Sequence, residues 1–591
     1  MDNPSTPNGT SSHDDSSDSS ELMRRQAMAL ERLALVSDPE YIPRARALKR
    51  LAGLIVALSG GVLAAYEFAI FVYESHQRRD MVSNWVEAAR ELYEVESSPD
   101  EAVVMLERAS DLSPQDASVV KMSAYIGGMR TVEQLMNLDR PFSPKDMEDY
   151  GQAMGQAIML ERVDKDNPEW AILRGQLALA AGETDRARSF IAKALQIDPA
   201  SPFANLRLAL VHMNLSREAA GADDSATRDA EMAKCRQLID RSLALNPDFS
   251  LAKLWKALIA LSDGDLDTTI TMCRQILQKD PRFYKALATL GEAYTMQAVA
   301  DGASEAQSRE AYAKAQDAYE RALAIKPDLS QGLYGLARLY GLQDKYEIGL
   351  RYARSATAMD PGSLAATQMQ GTLAIELAKV GGPDSEDYGS LIEEAIGCYS
   401  KALDLNPRDA DNYIERSKLY RQTGKLRLAG ADARNAVLFA ATDPYAHNVL
   451  GLYLLDAGFL EEAASAFATC TQLDEKFDAG YLGRGRALRA LGNLEEAEAS
   501  LDAALDVASA DLKSQMLLER GRVREARGNA EGALADFVAA RTDDPDSFDA
   551  WIAEANALRA LNRKDASVAA ARSALQLRPD DQVAKQLMSG Q

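Results

Sequence analysis

Residues 480–501 read GYLGRGRALRALGNLEEAEASL. Two short runs of apolar residues at helical spacing flank Gly492 and Asn493, so the stretch reads as two helices joined by a tight turn. Gly485 in the first helix and Ala497 in the second are small. Two antiparallel helices on a short connection approach closely only where their crossing positions carry minimal side chains. The same arrangement stands in HNVLGLYLLDAGFLEEAASAF (447–467) and opens in FYKALATLGEAY (283–294). In each, a small residue sits in the first helix. Where the turn follows, Gly marks it, and Ala comes about five residues later.

Extended along the chain, the pattern gives thirteen units of about 34 residues. The second-helix crossing holds Ala102, Ala153, Ala187, Cys235, Thr269, Ala315, Gly349, Ala395, Ala429, Ala463, Ala497, Ala533 and Ser567, all of them small. The first-helix site is Gly, Ala or Ser except for Arg90, and the site one turn before the unit's end is small except for Leu160 and Ile276. Proline ends nine units, where it stops one helix and opens the next turn. Thirteen such units in tandem resemble the tetratricopeptide repeat (TPR) family. The resemblance implies an all-α fold, an α-solenoid of about thirteen helical hairpins in a right-handed superhelix over 82–579, closed by a cap at 580–591. Each unit then buries its apolar face against its neighbours, which explains how a chain of 591 residues folds without one large core.

Composition agrees. Hydrophobic residues make up 47% but aromatics only 6%, which suits closely packed helices. The net charge of −23 argues against nucleic acid as a partner, since such binders need a basic footprint. Four cysteines are too few for a disulfide scaffold.

Ahead of the repeats, residues 1–20 are acidic and Ser-rich and are expected to be disordered, and 21–50 read as a basic juxtamembrane helical segment. Residues 51–73, LAGLIVALSGGVLAAYEFAIFVY, carry one charge, Glu67, and are long enough to be expected as a single transmembrane helix. Five cations in the twenty residues before it and three in the twenty after favour a cytoplasmic N-terminus and periplasmic repeats at an inner membrane. The opposite topology, with cytosolic repeats, stays open. Gly53, Ala57, Gly61, Ala65 and Ala69 form a stripe of small residues, read either as chance in an Ala-rich span or as a helix-packing and homodimerisation face.

Units 2, 4, 6 and 8 carry extra residues between their helices, including LDRPFSPKDMEDYG, REAAGADDSATRDAE, VADGASEAQSRE and VGGPDSEDYGS. Two readings stand, tolerated surface loops or a rim that contacts a partner. On the inward positions of the first helices the family usually binds its ligands. There units 3–5 place an apolar stripe including Phe203, Leu206, Leu210, Leu254 and Leu258, and units 9–13 place Lys418, Arg421, Arg486, Arg489, Arg522 and Arg559. The leucines read as groove or, one residue out of register, as core. The arginines read as a ligand surface or as a solvated lining. The Asn and Lys set of chaperone-binding TPR domains is absent, with Asn556 alone at the relevant Asn site. The Asn ladder of O-GlcNAc transferase arrays and the CxxC zinc module of some membrane-tethered relatives are missing too.

His13, His76, His212 and His447 show no metal-ligand spacing, and Cys235, Cys273, Cys398 and Cys470 read as packing thiols. No catalytic, cofactor or metal site is expected. The resemblance implies a membrane-anchored scaffold that binds protein or peptide partners through its groove, for assembly or secretion complexes. The alternative is a transmembrane sensor or regulatory subunit that relays partner binding through residues 21–50.

Overall fold

A computed structural model of the chain describes residues 62–94, 99–136, 142–222 and 224–589, which form twenty-seven helices. The expected tail at 1–20, the basic segment at 21–50 and the part of the apolar run holding Gly53, Ala57 and Gly61 lie outside the described residues.

The transmembrane expectation is corrected. Among the described residues no helix is long and apolar enough to cross a membrane. The described end of the apolar run, Val62 to Tyr73, opens a helix, Val62–Glu94, that continues unbroken through the polar stretch ESHQRRD. Ala65 and Ala69 belong to this same helix. Among the described residues the architecture is therefore all-α repeats, with no membrane-spanning helix before them.

The helices follow one another as thirteen successive pairs with a terminal helix, Gln582–Ser589. They fall into two compact units, one ending at Leu251 and one beginning at Ala252. All thirteen second-helix crossing residues are buried, from Ala102 to Ser567. The close approach has a measurable form. A Cβ added at Gly485 would lie 2.6 Å from Leu501, and one at Gly521 would lie 2.4 Å from Phe537. Phe467 is held between Gly451 of its own hairpin and Gly483 of the next. Glycine at these positions is a packing requirement, because any side chain would displace a buried ring or, at Gly485, the buried Leu501.

In the standard-length hairpins whose turn lies among the described residues, one turn residue takes the left-handed conformation. Gly182, Gly264, Gly424, Gly458, Gly492 and Gly528 supply it, and Asp344 (φ 57°) and Asn562 (φ 59°) take the same place in their units. Asp and Asn tolerate this region better than other side chains do.

The extra residues of units 2, 4, 6 and 8 are largely helix rather than loop. Pro144–Val163, Ser225–Leu245, Glu305–Ile325 and Tyr388–Leu405 begin inside the quoted acidic stretches. Two of them start at capping boxes, Ser143 with Asp146 and Ser304 with Gln307. The added residues thus lengthen the second helices and, in units 2, 4 and 8, the first helices as well.

Candidate partner-binding face

In the C-terminal unit the first helices of consecutive hairpins touch one another. Ala410–Gln422 meets Pro444–Asp456, which meets Asp478–Leu491, and the series continues through Ala510–Ala526 to Phe548–Ala560. The six expected cations lie on helices of this series.

Their partners were not anticipated. Lys418 Nζ pairs with Glu415 at 2.7 Å, one turn back on its own helix. Arg421 Nε reaches Asp456 of the next hairpin at 2.7 Å. Arg486, Arg489 and Arg522 converge on a single carboxylate, that of Glu519. Arg522 Nη1 lies 2.6 Å and Arg486 Nε 3.6 Å from Glu519 Oε1, and Arg489 Nε donates to Oε2 at 3.1 Å. Arg486 also donates to Gln515 Oε1 at 3.2 Å. The Glu519 side chain is only 5% exposed, whereas the three arginines keep 32%, 36% and 37% of theirs open. Burial lowers the pKa of the Arg486 guanidinium, and Arg522 and Arg489 push the same way against the attraction of Glu519. Arg559 is exposed on its helix.

Other arginines of this unit serve the interior of the hairpins. Arg416 grips Asp432 with two hydrogen bonds of 2.7 and 2.8 Å, and Arg520 grips Asp536 in the same way at 3.1 and 2.7 Å. Both pairs are sixteen residues apart, joining a first helix to its second.

Of the apolar stripe, Phe203, Leu206, Leu210 and Leu254 are buried and Leu258 is half-buried. Leu254 and Leu258 lie in the C-terminal unit. For Phe203, Leu206 and Leu210 the reason is visible in the N-terminal unit, where the first-helix face closes on itself. The helices Val62–Glu94, Ala117–Met136, Glu169–Ala180 and Pro202–Gly221 touch in series. Tyr93, from the first, meets Phe203, from the last, edge to face at 6.2 Å. Arg207 lies over the Phe203 ring at 4.6 Å and donates to Gln176 Oε1 at 3.3 Å. Tyr93 donates to Glu133 at 3.1 Å, Tyr125 donates to Glu94 at 3.2 Å, and Arg90 pairs with Glu169. Burial, reinforced by Glu169, lifts the Glu94 carboxyl to about 7 against the pull of Arg90, Arg207 and the Tyr125 hydrogen bond.

His212 Nδ1 lies 2.5 Å from Glu231 Oε2, and Lys234 holds the other oxygen of that carboxylate at 2.7 Å. Among the described residues no group of His, Cys, Asp and Glu is placed to hold a metal ion. All four cysteines are free and buried, and burial pushes Cys273 and Cys470 up to about 12 and Cys235 and Cys398 up to about 11. Thiols held so far above neutrality stay protonated and unreactive.

A run of helical hairpins with small residues at every crossing, and with side chains offered along the first helices, defines a helical-repeat protein. The tetratricopeptide repeat family matches residues 146–202, 448–512 and 517–582. Those three stretches carry repeats of that type. Human tetratricopeptide repeat protein 6 is 26% identical over 156 residues, which is 26% of this chain, and this chain spans 29% of the length of that curated relative. Among solved structures, the Cut9–Hcn1 hetero-tetramer of the APC/C aligns over 88% of this chain and 97% of that one, with 16% identity and a TM-score of 0.39. A tetratricopeptide repeat protein from Parabacteroides merdae aligns over 44% of this chain and 97% of its own, with 16% identity and a TM-score of 0.37. Proteins of this repeat type bind protein or peptide partners and are in general non-catalytic scaffolds.

Proposed function

We propose that this chain is a non-catalytic scaffold that holds an acidic segment of a partner protein on the first-helix face of its C-terminal unit. The observation that supports this reading is the gathering of Arg486, Arg489 and Arg522 on the one carboxylate of Glu519. Three guanidinium groups and one carboxylate leave a local excess of positive charge in a chain whose net charge is −23. Exposed guanidinium edges recognise carboxylates through paired N–H donors.

The test is direct binding of a fluorescent Asp/Glu-rich probe peptide to the full chain. Replacing Arg486, Arg489 and Arg522 together by Glu is expected to weaken binding by at least about tenfold, the loss of charge-assisted hydrogen bonds worth roughly 1.5 kcal/mol or more. Unchanged affinity in a variant that keeps its helical circular dichroism would remove this face from consideration.

A further inference from the structure

The way charge is distributed on this face narrows the partner further. Two other cations on it are matched one to one, Lys418 with Glu415 and Arg421 with Asp456. At Glu519 the ratio is three to one. Both oxygens of that carboxylate are already engaged, Oε1 by Arg522 and Arg486 and Oε2 by Arg489. The surplus of two positive charges therefore has no further capacity on Glu519, and it is concentrated around one side chain. Each guanidinium carries five N–H donors, so most donor edges of the three are still open. Their side chains keep about a third of their surface in solvent, so a ligand can reach them without unfolding the cluster.

We propose that the Arg486–Arg489–Arg522 cluster is a slot for a phosphorylated serine or threonine on the partner, with Glu519 holding the three arginines in place. This inference rests on the reading of the same face as the partner-binding surface. A phosphate monoester carries close to two negative charges on one small group and offers three acceptor oxygens. It matches both the size and the concentration of the excess. A single carboxylate neutralises half of it. Two carboxylates brought into the same volume repel each other as well as binding. Arginine is also the side chain whose planar fork pairs with phosphate through two parallel hydrogen bonds, which a lysine ammonium cannot do. Glu519 acts as a positioning residue. Buried at the centre, it fixes three long side chains whose ordering the ligand would otherwise have to supply.

The experiment compares three versions of one short fluorescent Gly/Asp peptide carrying at its centre Ser, phosphoserine or Glu. Binding to the full chain is read by anisotropy at physiological salt. The phosphoserine peptide is expected to bind roughly tenfold tighter than the Glu peptide. In the double variant Arg486→Lys/Arg489→Lys, which preserves charge and removes the forks, that preference should fall to about twofold or less. Equal binding of the phosphoserine and Glu peptides to the parent chain overturns the phosphate slot and leaves the acidic-partner reading standing. Failure of all three to bind overturns both. A preference that survives intact in the lysine variant shows general charge attraction and also overturns the slot.

Discussion

The two units are built from the same hairpin yet use its first-helix face in opposite ways. In the N-terminal unit that face is consumed by folding. Tyr93 reaches Phe203 three hairpins on, Arg207 covers the Phe203 ring, Tyr125 donates to Glu94, and the buried Glu169 pairs with an exposed Arg90. In the C-terminal unit the corresponding face carries partly open arginines clustered on Glu519. The crossing positions are equally small in both. What separates a sealed face from an available one is therefore the residue type at the inward positions, apolar and aromatic around Phe203 and charged around Glu519. The repeat sets the frame, and those positions decide its use.

The largest expected effect tests what the units share. A Cβ at Gly483 would sit 2.3 Å from the Phe467 ring, and one at Gly175 would sit 2.4 Å from Ile191. Gly483→Val and Gly175→Val should each destabilise by about 3 kcal/mol or more, by overpacking a crossing that has no room to give. Chemical unfolding followed by circular dichroism measures this. Ready tolerance of valine at one site and not at the other would break the claim of a common crossing geometry.

The next effect tests what separates them. Phe203→Ala removes a ring that is 2% exposed and should cost about 3–5 kcal/mol. Arg489→Ala, on the open face of the other unit, should cost no more than about 1 kcal/mol, because its pair with Glu519 is partly solvated and two other arginines remain on that carboxylate. Comparable losses at the two positions would mean that the C-terminal face is as closed as the N-terminal one.

The frame was legible in the sequence because it rests on local steric demands. Small residues at fixed spacing and proline at the unit ends can be read one unit at a time. Some equivalents hid behind chemistry rather than position. Asp344 and Asn562 do the work of the turn glycine, and only their place in the register reveals it. Ser143 with Asp146 and Ser304 with Gln307 are capping pairs at three-residue spacing, a signal that the acidic stretches start helices. The apolar run at 51–73 was read by length and hydropathy alone, without the polar helix that its described end continues into. On the face itself the cations were legible but their carboxylates were not. Glu519 lies thirty residues from Arg489, so only superimposing one hairpin on the next brings them together. Its three-residue spacing from Arg522 was the one local hint. Whether Phe203 and Leu206 face a groove or a core depends on how four hairpins close against one another, which no single repeat contains.

The smallest expected effect is a pH signature of that closure. Glu94 has an unfolded value near 4.5 and a folded value of about 7, because burial disfavours its charged form more than Arg90, Arg207 and the Tyr125 hydroxyl favour it. Between those values the folded chain binds more protons than the unfolded chain, so stability falls as pH rises through the window and levels off above it. The contribution of the protonated carboxyl is fully present below about 4.5 and lost above about 7. Glu94→Gln keeps the shape and removes the titration. Its thermal unfolding midpoint should match the parent's near pH 4.5 and exceed it by a few degrees at pH 8. A difference that stays constant across that range would mean that Glu94 is solvated, and that the first-helix face of the N-terminal unit is open after all. The same measurement on Glu519→Gln separates the two faces. Glu519 pairs with three arginines, and the neutral amide breaks those ion pairs, so its replacement should give no gain in stability at pH 8. A gain there equal to that of Glu94→Gln would erase the distinction between the sealed face and the available one.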